Sequence, residues 1–253
     1  MVSQFLRKRM TSKEKIVSLM DLTLLGDNDT DSDIVKLCSK ARNSLGNVAA
    51  LCVYKEFIPT VKKQLGADFK VATVVNFPKG DASIEDVLSE TKQALTLGAD
   101  EIDLVIDYKE YIAKGDSKKS REMISQVKEL CNNKILKVII ESGELQSTGL
   151  IEKVSSDAIS SGADFIKTST GKTKVGATCE AAKTMLETIK KLNQDVGFKA
   201  SGGIRDCSQA VAYVELADKI LCNNYVNPKT FRFGVSGLLD NLLNNLGQEN
   251  NDY

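Results

Sequence analysis

Eight short runs rich in Val, Ile and Leu recur along the chain, and a stretch of helical periodicity follows each of them. The runs are MDLTLL from Met20, NVAALCVY from Asn47, KVATVVNF from Lys70, EIDLVID from Glu101, ILKVIIE from Ile135, DFIKTS from Asp164, VGFKAS from Val196 and DKILCN from Asp218. The helical stretches cover 32–41, 57–65, 84–97, 120–130, 150–160, 179–192, 207–216 and 235–246. Runs that are apolar on both faces fit a parallel sheet covered by helices, and eight such units in 253 residues is the size at which the sheet closes on itself. An open doubly wound sheet is the alternative. It is disfavoured because the first run leads into GDNDTD, not G-x-G-x-x-G, with no acidic residue at dinucleotide spacing. The predicted fold is therefore an α/β TIM (β/α)8 barrel with an extra N-terminal helix, forming one domain over 1–253. Residues 1–19 are the helix, 20–246 the barrel and 247–253 a polar, flexible tail.

A local echo fixes the phase of this reading. LGADEIDLV at Leu97 and SGADFIKTS at Ser161 both put Gly after a helix and Ala-Asp before the next strand. Glycine is the usual residue where a helix ends and the chain turns back with positive φ.

Basic and acidic residues balance at 34 each, so no global field attracts nucleic acid or an anionic membrane. The N-terminus lacks a secretory apolar core, and no run approaches the roughly 18 apolar residues of a membrane span. Six scattered cysteines without a C-x-x-C pair fit a reducing, cytoplasmic setting, and Cys52 in ALCVY reads as a packed core residue. The chain has no histidine. Imidazole acid-base work, a Ser-His-Asp triad and a His-rich zinc site are excluded, which leaves lysine, carboxylate, tyrosine and cysteine.

Lysine is depleted in strands buried on both faces, because an unpaired ammonium loses its hydration there. Three successive runs nevertheless carry one centrally: Lys137, Lys167 and Lys199, with Asp103 and Glu141 on neighbouring strands. Alternation lets Phe165, Lys167 and Ser169, and likewise Gly197, Lys199 and Ser201, face a barrel axis. Neighbouring cations and desolvation favour the neutral amine, which is a nucleophile toward carbonyls. The competing reading is an ion-pair network with Asp103 or Glu141, and composition and spacing leave all three lysines open.

Anion-binding features follow these runs. TSTGK supplies hydroxyls, Gly171 and the cation Lys172; SGGIR supplies Gly202 and Gly203; FRFGVSG places Gly234, Ser236 and Gly237 at the start of the last helix. Three such segments at successive strand ends point to a phosphorylated small substrate, since loops after strands seven and eight commonly hold phosphate in this fold. TSTGK is not a P-loop, because the first Gly of that motif is absent.

MDLTLL, NFPKG, GADEIDLVID, KVIIESGEL, GADFIKTSTGK, GFKASGG and FRFGVSGLL, in that order, resemble the 2-deoxyribose-5-phosphate aldolases. The resemblance implies a TIM barrel in which Lys167 forms a Schiff base and Asp103 and Lys199 serve proton transfer and activation. It implies reversible cleavage of 2-deoxy-D-ribose 5-phosphate to D-glyceraldehyde 3-phosphate and acetaldehyde, with no metal or organic cofactor, in a monomer or homodimer. It also assigns the terminal Tyr253, on its tail, to proton exchange at the enamine carbon. Two departures bear on phosphate: similar proteins often carry two serines where this chain has Ser236 and Gly237, and KASGG stands where KPAGG is common, adding Ser201.

Overall fold

The computed structural model describes residues 12–222 and 224–249. Eight parallel strands form a closed barrel: β1 (Met20–Thr23), β2 (Ala50–Val53), β3 (Val71–Val75), β4 (Glu101–Val105), β5 (Ile135–Ile139), β6 (Phe165–Lys167), β7 (Gly197–Ser201) and β8 (Phe231–Val235). Each strand pairs with the next in sequence. β8 closes on β1, with Met20 opposite Phe233 and Leu22 opposite Val235. Around it lie α1 (Lys13–Ser18), α2 (Asp31–Lys40), α3 (Ile58–Leu65), α4 (Ile84–Thr96), α5 (Tyr108–Lys114), α6 (Lys118–Cys131), α7 (Ser142–Leu145), α8 (Thr148–Ser160), α9 (Cys179–Leu192), α10 (Cys207–Leu221) and α11 (Leu238–Glu249). Serine, threonine or aspartate caps most of the helices that follow strands: Ser83, Ser117, Ser147, Thr178 and Asp206 each accept a backbone N–H from the first turn.

Seven of the eight predicted strands lie where the apolar runs put them. DKILCN is the exception: its first four residues, DKIL, are the end of α10, whose buried Ala210, Val214, Ala217 and Leu221 recur at helical spacing. The eighth strand is instead FRFGV, so Gly234 belongs to a strand and the last helix starts at Leu238, not Val235. That helix runs to Glu249, into the segment expected as a flexible tail. Tyr253 and the first 11 residues of the expected N-terminal helix lie outside the described residues. Three small elements lack a periodic signature: α5, held by Asp107 at its start and left-handed Gly115 at its end; α7; and a two-stranded hairpin, Arg42–Asn43 with Gly46–Asn47.

The repeated Gly-Ala-Asp has a physical role at the N-terminal rim. Gly98 and Gly162 turn the chain at φ +100° and +103°. Asp100 Oδ2 then accepts the N–H of Val71 at 3.1 Å, and Asp164 Oδ2 that of Leu136 at 2.7 Å. Each aspartate thus satisfies the first ladder donor of the preceding strand, and each is held by a lysine of a neighbouring helix, Lys62 or Lys128, both at 2.6 Å.

The barrel interior has two unlike walls. On β2 and β3, Cys52, Ala72 and Val74 pack with Leu25 into a small apolar cluster separate from the main core. The other strands carry charge. Phe165 fills the lumen among them, and its ring occupies the place of a side chain at Gly197, where a Cβ would lie 2.3 Å from the ring.

Candidate active site

Asp103, in the middle of β4, is the hub of the charged wall. Its Oδ1 accepts from Lys137 Nζ at 2.8 Å, while Oδ2 accepts from both Lys167 Nζ at 2.8 Å and Lys199 Nζ at 2.7 Å. Lys199 also donates to Asp21 on β1, at 2.5 Å. Lys137 pairs with Glu101 at 2.5 Å and Asp21 at 3.3 Å, and Arg232 bridges Asp21 and Glu101 at 2.5 and 3.0 Å. None of these seven residues is more than 5 % exposed, so solvent does little to screen the charges.

Counting charge shows which group is the odd one out. Asp21, Glu101 and Asp103 supply three negative charges, and Lys137, Lys199 and Arg232 supply three positive ones. A charged Lys167 would be a fourth cation in a site already balanced. Burial and the neighbouring Lys199 lower the Lys167 pKa despite the opposing pull of Asp103. Lys137 and Lys199 are pulled toward neutrality by burial as well, but their several carboxylates overcome it and raise both pKa values. Asp103 is buried, yet its three lysines hold it well below the usual carboxylate range. Of the three lysines open from sequence, Lys137 and Lys199 are locked ion-pair cations. Lys167 has a single carboxylate partner and alone of the three lines the cleft above.

That cleft, about 810 Å³, opens at the C-terminal end of the barrel. Its wall gathers all three segments expected to bind an anion: Gly171 and Lys172 after β6, Gly202 and Gly203 after β7, and Gly234, Ser236 and Gly237 from β8 into the turn before α11. Gly171, Gly202 and Gly203 sit at φ +80° to +85°, a backbone state that turns N–H groups toward a ligand. Lys172 Nζ reaches Asp27 across the mouth, at 3.2 Å. Gly234 faces the lumen, and a Cβ there would meet Ser201 Oγ at 2.0 Å and Lys199 Cε at 3.0 Å.

The ion-pair network expected with Asp103 or Glu141 forms on Asp103, and Glu141 makes no ion pair with a lysine among the described residues. Its carboxylate accepts from Thr170 Oγ1 at 2.5 Å, Thr170 N at 3.2 Å and Thr173 Oγ1 at 3.2 Å. Thr170 Oγ1 in turn accepts the Lys172 N–H at 3.0 Å, so this buried acid anchors the anion-binding loop. Burial raises its pKa against those hydrogen bonds. Cys52 is a packed thiol, as expected, and burial raises its pKa.

Asp21, Glu101 and Arg232 were not singled out from sequence. Arg232 lies in a segment whose sequence reads as a loop, and its place between Phe231 and Phe233 is the one local sign that it is buried. Asp21 stands between apolar residues in MDLTLL, the same kind of signal.

The sequence profile of the DeoC/LacD family aldolases matches residues 15–235. The chain belongs to that family. A tetrameric deoxyribose phosphate aldolase from Aeropyrum pernix superposes with a TM-score of 0.77 at 25 % identity, covering 95 % of this chain and 94 % of the other. A candidate deoxyribose-phosphate aldolase from Coccidioides immitis gives 0.81 at 27 % identity, covering 93 % and 87 %. A Toxoplasma gondii protein of the same description gives 0.85 at 24 % identity, covering 92 % and 93 %, a likeness of fold. This DeoC/LacD protein is thus an aldolase, a carbon-carbon lyase of the Schiff-base kind. No helix among its described residues is long and apolar enough to cross a membrane.

Proposed function

We propose that this aldolase reversibly cleaves 2-deoxy-D-ribose 5-phosphate to D-glyceraldehyde 3-phosphate and acetaldehyde through a Schiff base on Lys167. The observation that carries the reading is one lysine in an otherwise charge-balanced cluster, facing a cleft walled by three anion-binding segments. The amine attacks the sugar aldehyde, and loss of water leaves an iminium. The C3 hydroxyl gives up its proton, the C2–C3 bond breaks, and its electron pair flows to the iminium, forming the enamine and releasing D-glyceraldehyde 3-phosphate. Protonation at C2 and hydrolysis free acetaldehyde and return the amine.

Asp103 Oδ2 receives the proton that Lys167 sheds, and the Lys199 ammonium on the same oxygen supplies one to the departing hydroxide through water. Gly171, Lys172, Gly202, Gly203, Gly234, Ser236 and Gly237 hold the phosphate, and Tyr253 assists proton exchange at the enamine carbon. The Aeropyrum pernix and Coccidioides immitis relatives support the substrate. On this reading the enzyme uses no metal or organic cofactor and serves deoxyribonucleotide breakdown in the cytoplasm, as a monomer or homodimer.

Borohydride reduction in the presence of 2-deoxyribose 5-phosphate, followed by peptide mass spectrometry, tests the mechanism. The expected adduct is on Lys167 and absent in Lys167→Leu. An adduct on Lys137 or Lys199 would overturn the assignment, and no adduct would leave a phosphosugar-binding barrel. An adduct without release of D-glyceraldehyde 3-phosphate would indicate an aldolase for another phosphosugar.

A further inference from the structure

Five buried serine and threonine hydroxyls among the described residues have no hydrogen-bond partner within the protein: Thr73, Ser142, Ser155, Ser169 and Ser201. Only Ser201 lines the cleft that holds Lys167. An unsatisfied buried hydroxyl is costly, so one retained at the wall of a cleft asks for a ligand.

Its position says which part of a ligand. Lys167 is paired in register with Lys199, which places the nucleophile level with that residue of β7. Ser201 has the same inward parity two residues on, about 7 Å along the strand. Gly202 and Gly203, the phosphate-side loop, follow directly. Ser201 is fixed there, its N–H donating to Thr168 Oγ1 at 2.9 Å and its carbonyl accepting from the same hydroxyl at 3.1 Å. Its Oγ overhangs Gly234, where a Cβ would come within 2.0 Å, so only the absence of a side chain at 234 leaves room for the hydroxyl at this point of the cleft wall. An extended five-carbon sugar joined to Lys167 at C1 and held by phosphate at C5 presents its C4 hydroxyl at this height.

We propose that Ser201 is a specificity-determining residue that hydrogen-bonds the C4 hydroxyl of the sugar, and so the C2 hydroxyl of the incoming aldehyde in the synthetic direction. It reads the configuration at that carbon, because the D hydroxyl reaches Oγ and the L hydroxyl points away from β7. The inference rests on the Lys167 Schiff base, which fixes the other end of the chain.

The test measures kcat/KM for addition of acetaldehyde to D- and to L-glyceraldehyde 3-phosphate, in the wild type and in Ser201→Ala. Loss of one neutral hydrogen bond predicts a fall of about two- to tenfold with the D aldehyde and none with the L aldehyde. An equal fall with both would make Ser201 a phosphate contact or a packing residue, and no fall with either would leave its hydroxyl to water; each overturns the proposal. Acetaldehyde lacks the hydroxyl in question, so borohydride trapping with acetaldehyde alone must label Lys167 equally in both proteins. Failure of that labelling in the wild type would condemn the Schiff-base reading itself.

Discussion

The Nζ atoms of Lys167 and Lys199 donate to one and the same carboxylate oxygen, Asp103 Oδ2, at 2.8 and 2.7 Å. Two amines sharing an oxygen are not equivalent: Asp21, a second partner, helps to raise the Lys199 pKa, whereas burial and the Lys199 cation lower that of Lys167. In the proposed mechanism Lys167 attacks only as the free amine, so activity should be lost as pH falls through its lowered pKa. The acid limb of Schiff-base trapping should lie below the 10.5 of an ordinary lysine. Replacing Lys199 by Met removes a repelling cation, raises the Lys167 pKa and should move that limb upward by about one pH unit. Turnover should fall about 10²- to 10⁴-fold, and by more than about 10³-fold in Lys167→Leu.

Glu101 and Arg232 belong to the same balance from deeper in the barrel. Arg232→Gln leaves an excess negative charge, favours the ammonium form of Lys167 and should shift the trapping midpoint to higher pH. Glu101→Gln leaves an excess positive charge and should shift it to lower pH. Shifts of opposite sign, on the order of one unit, are expected. Trapping rates measured from pH 5 to 10 check them, and a purely structural role for either residue would move both profiles in height alone.

Glu141 holds the Thr170–Thr173 loop from below, through three donors. Glu141→Ala orphans them, and stability in chemical denaturation should drop by at least about 2 kcal/mol. On the proposed reading, the damage should fall on phosphate recognition more than on the amine. KM for 2-deoxyribose 5-phosphate should rise several-fold, while trapping of acetaldehyde on Lys167 stays close to wild type.

Two glycines three residues apart should respond in opposite ways. At Gly234 a methyl group would collide with Ser201 Oγ and press on Lys199 Cε. Gly234→Ala should therefore cost about 1–3 kcal/mol and lower turnover, and adding Ser201→Gly should return part of the stability. A Cβ at Gly237 meets nothing within 4 Å, and the position is free of positive φ. Gly237→Ser should fold normally and lower KM for the phosphorylated sugar by about two- to tenfold, through one added hydroxyl near the phosphate. Steady-state kinetics and thermal melts of the variants decide both.

The barrel was legible because its signals are local and repeated. Seven strands announce themselves as apolar runs, and Gly98 and Gly162 mark where helices end. The eighth was misplaced because a run such as DKILCN reads the same whether it ends a buried helix or forms a strand, and FRFGV is interrupted by a charge and a glycine. Its arginine is tolerated only because Asp21 and Glu101 arrive from strands far away in sequence. The same long range explains the lysines. Lys137, Lys167 and Lys199 stand in similar local contexts, and what separates them is how many carboxylates the closed barrel delivers to each. The resemblance singled out Lys167, and the ion-pair geometry gives an independent physical reason for the same choice.

Lys172 and Asp27, at the mouth, are 34 % and 84 % exposed, whereas the seven side chains of the cluster below are sealed in. Dissolved ions reach the first pair and not the cluster. The enzyme is thus insulated at one end and open at the other: added salt should weaken its hold on the phosphate while leaving the reactivity of its amine unchanged. If the proposed site is right, how tightly the substrate is gripped follows the surrounding medium, and how fast the captured sugar reacts is set by the protein alone.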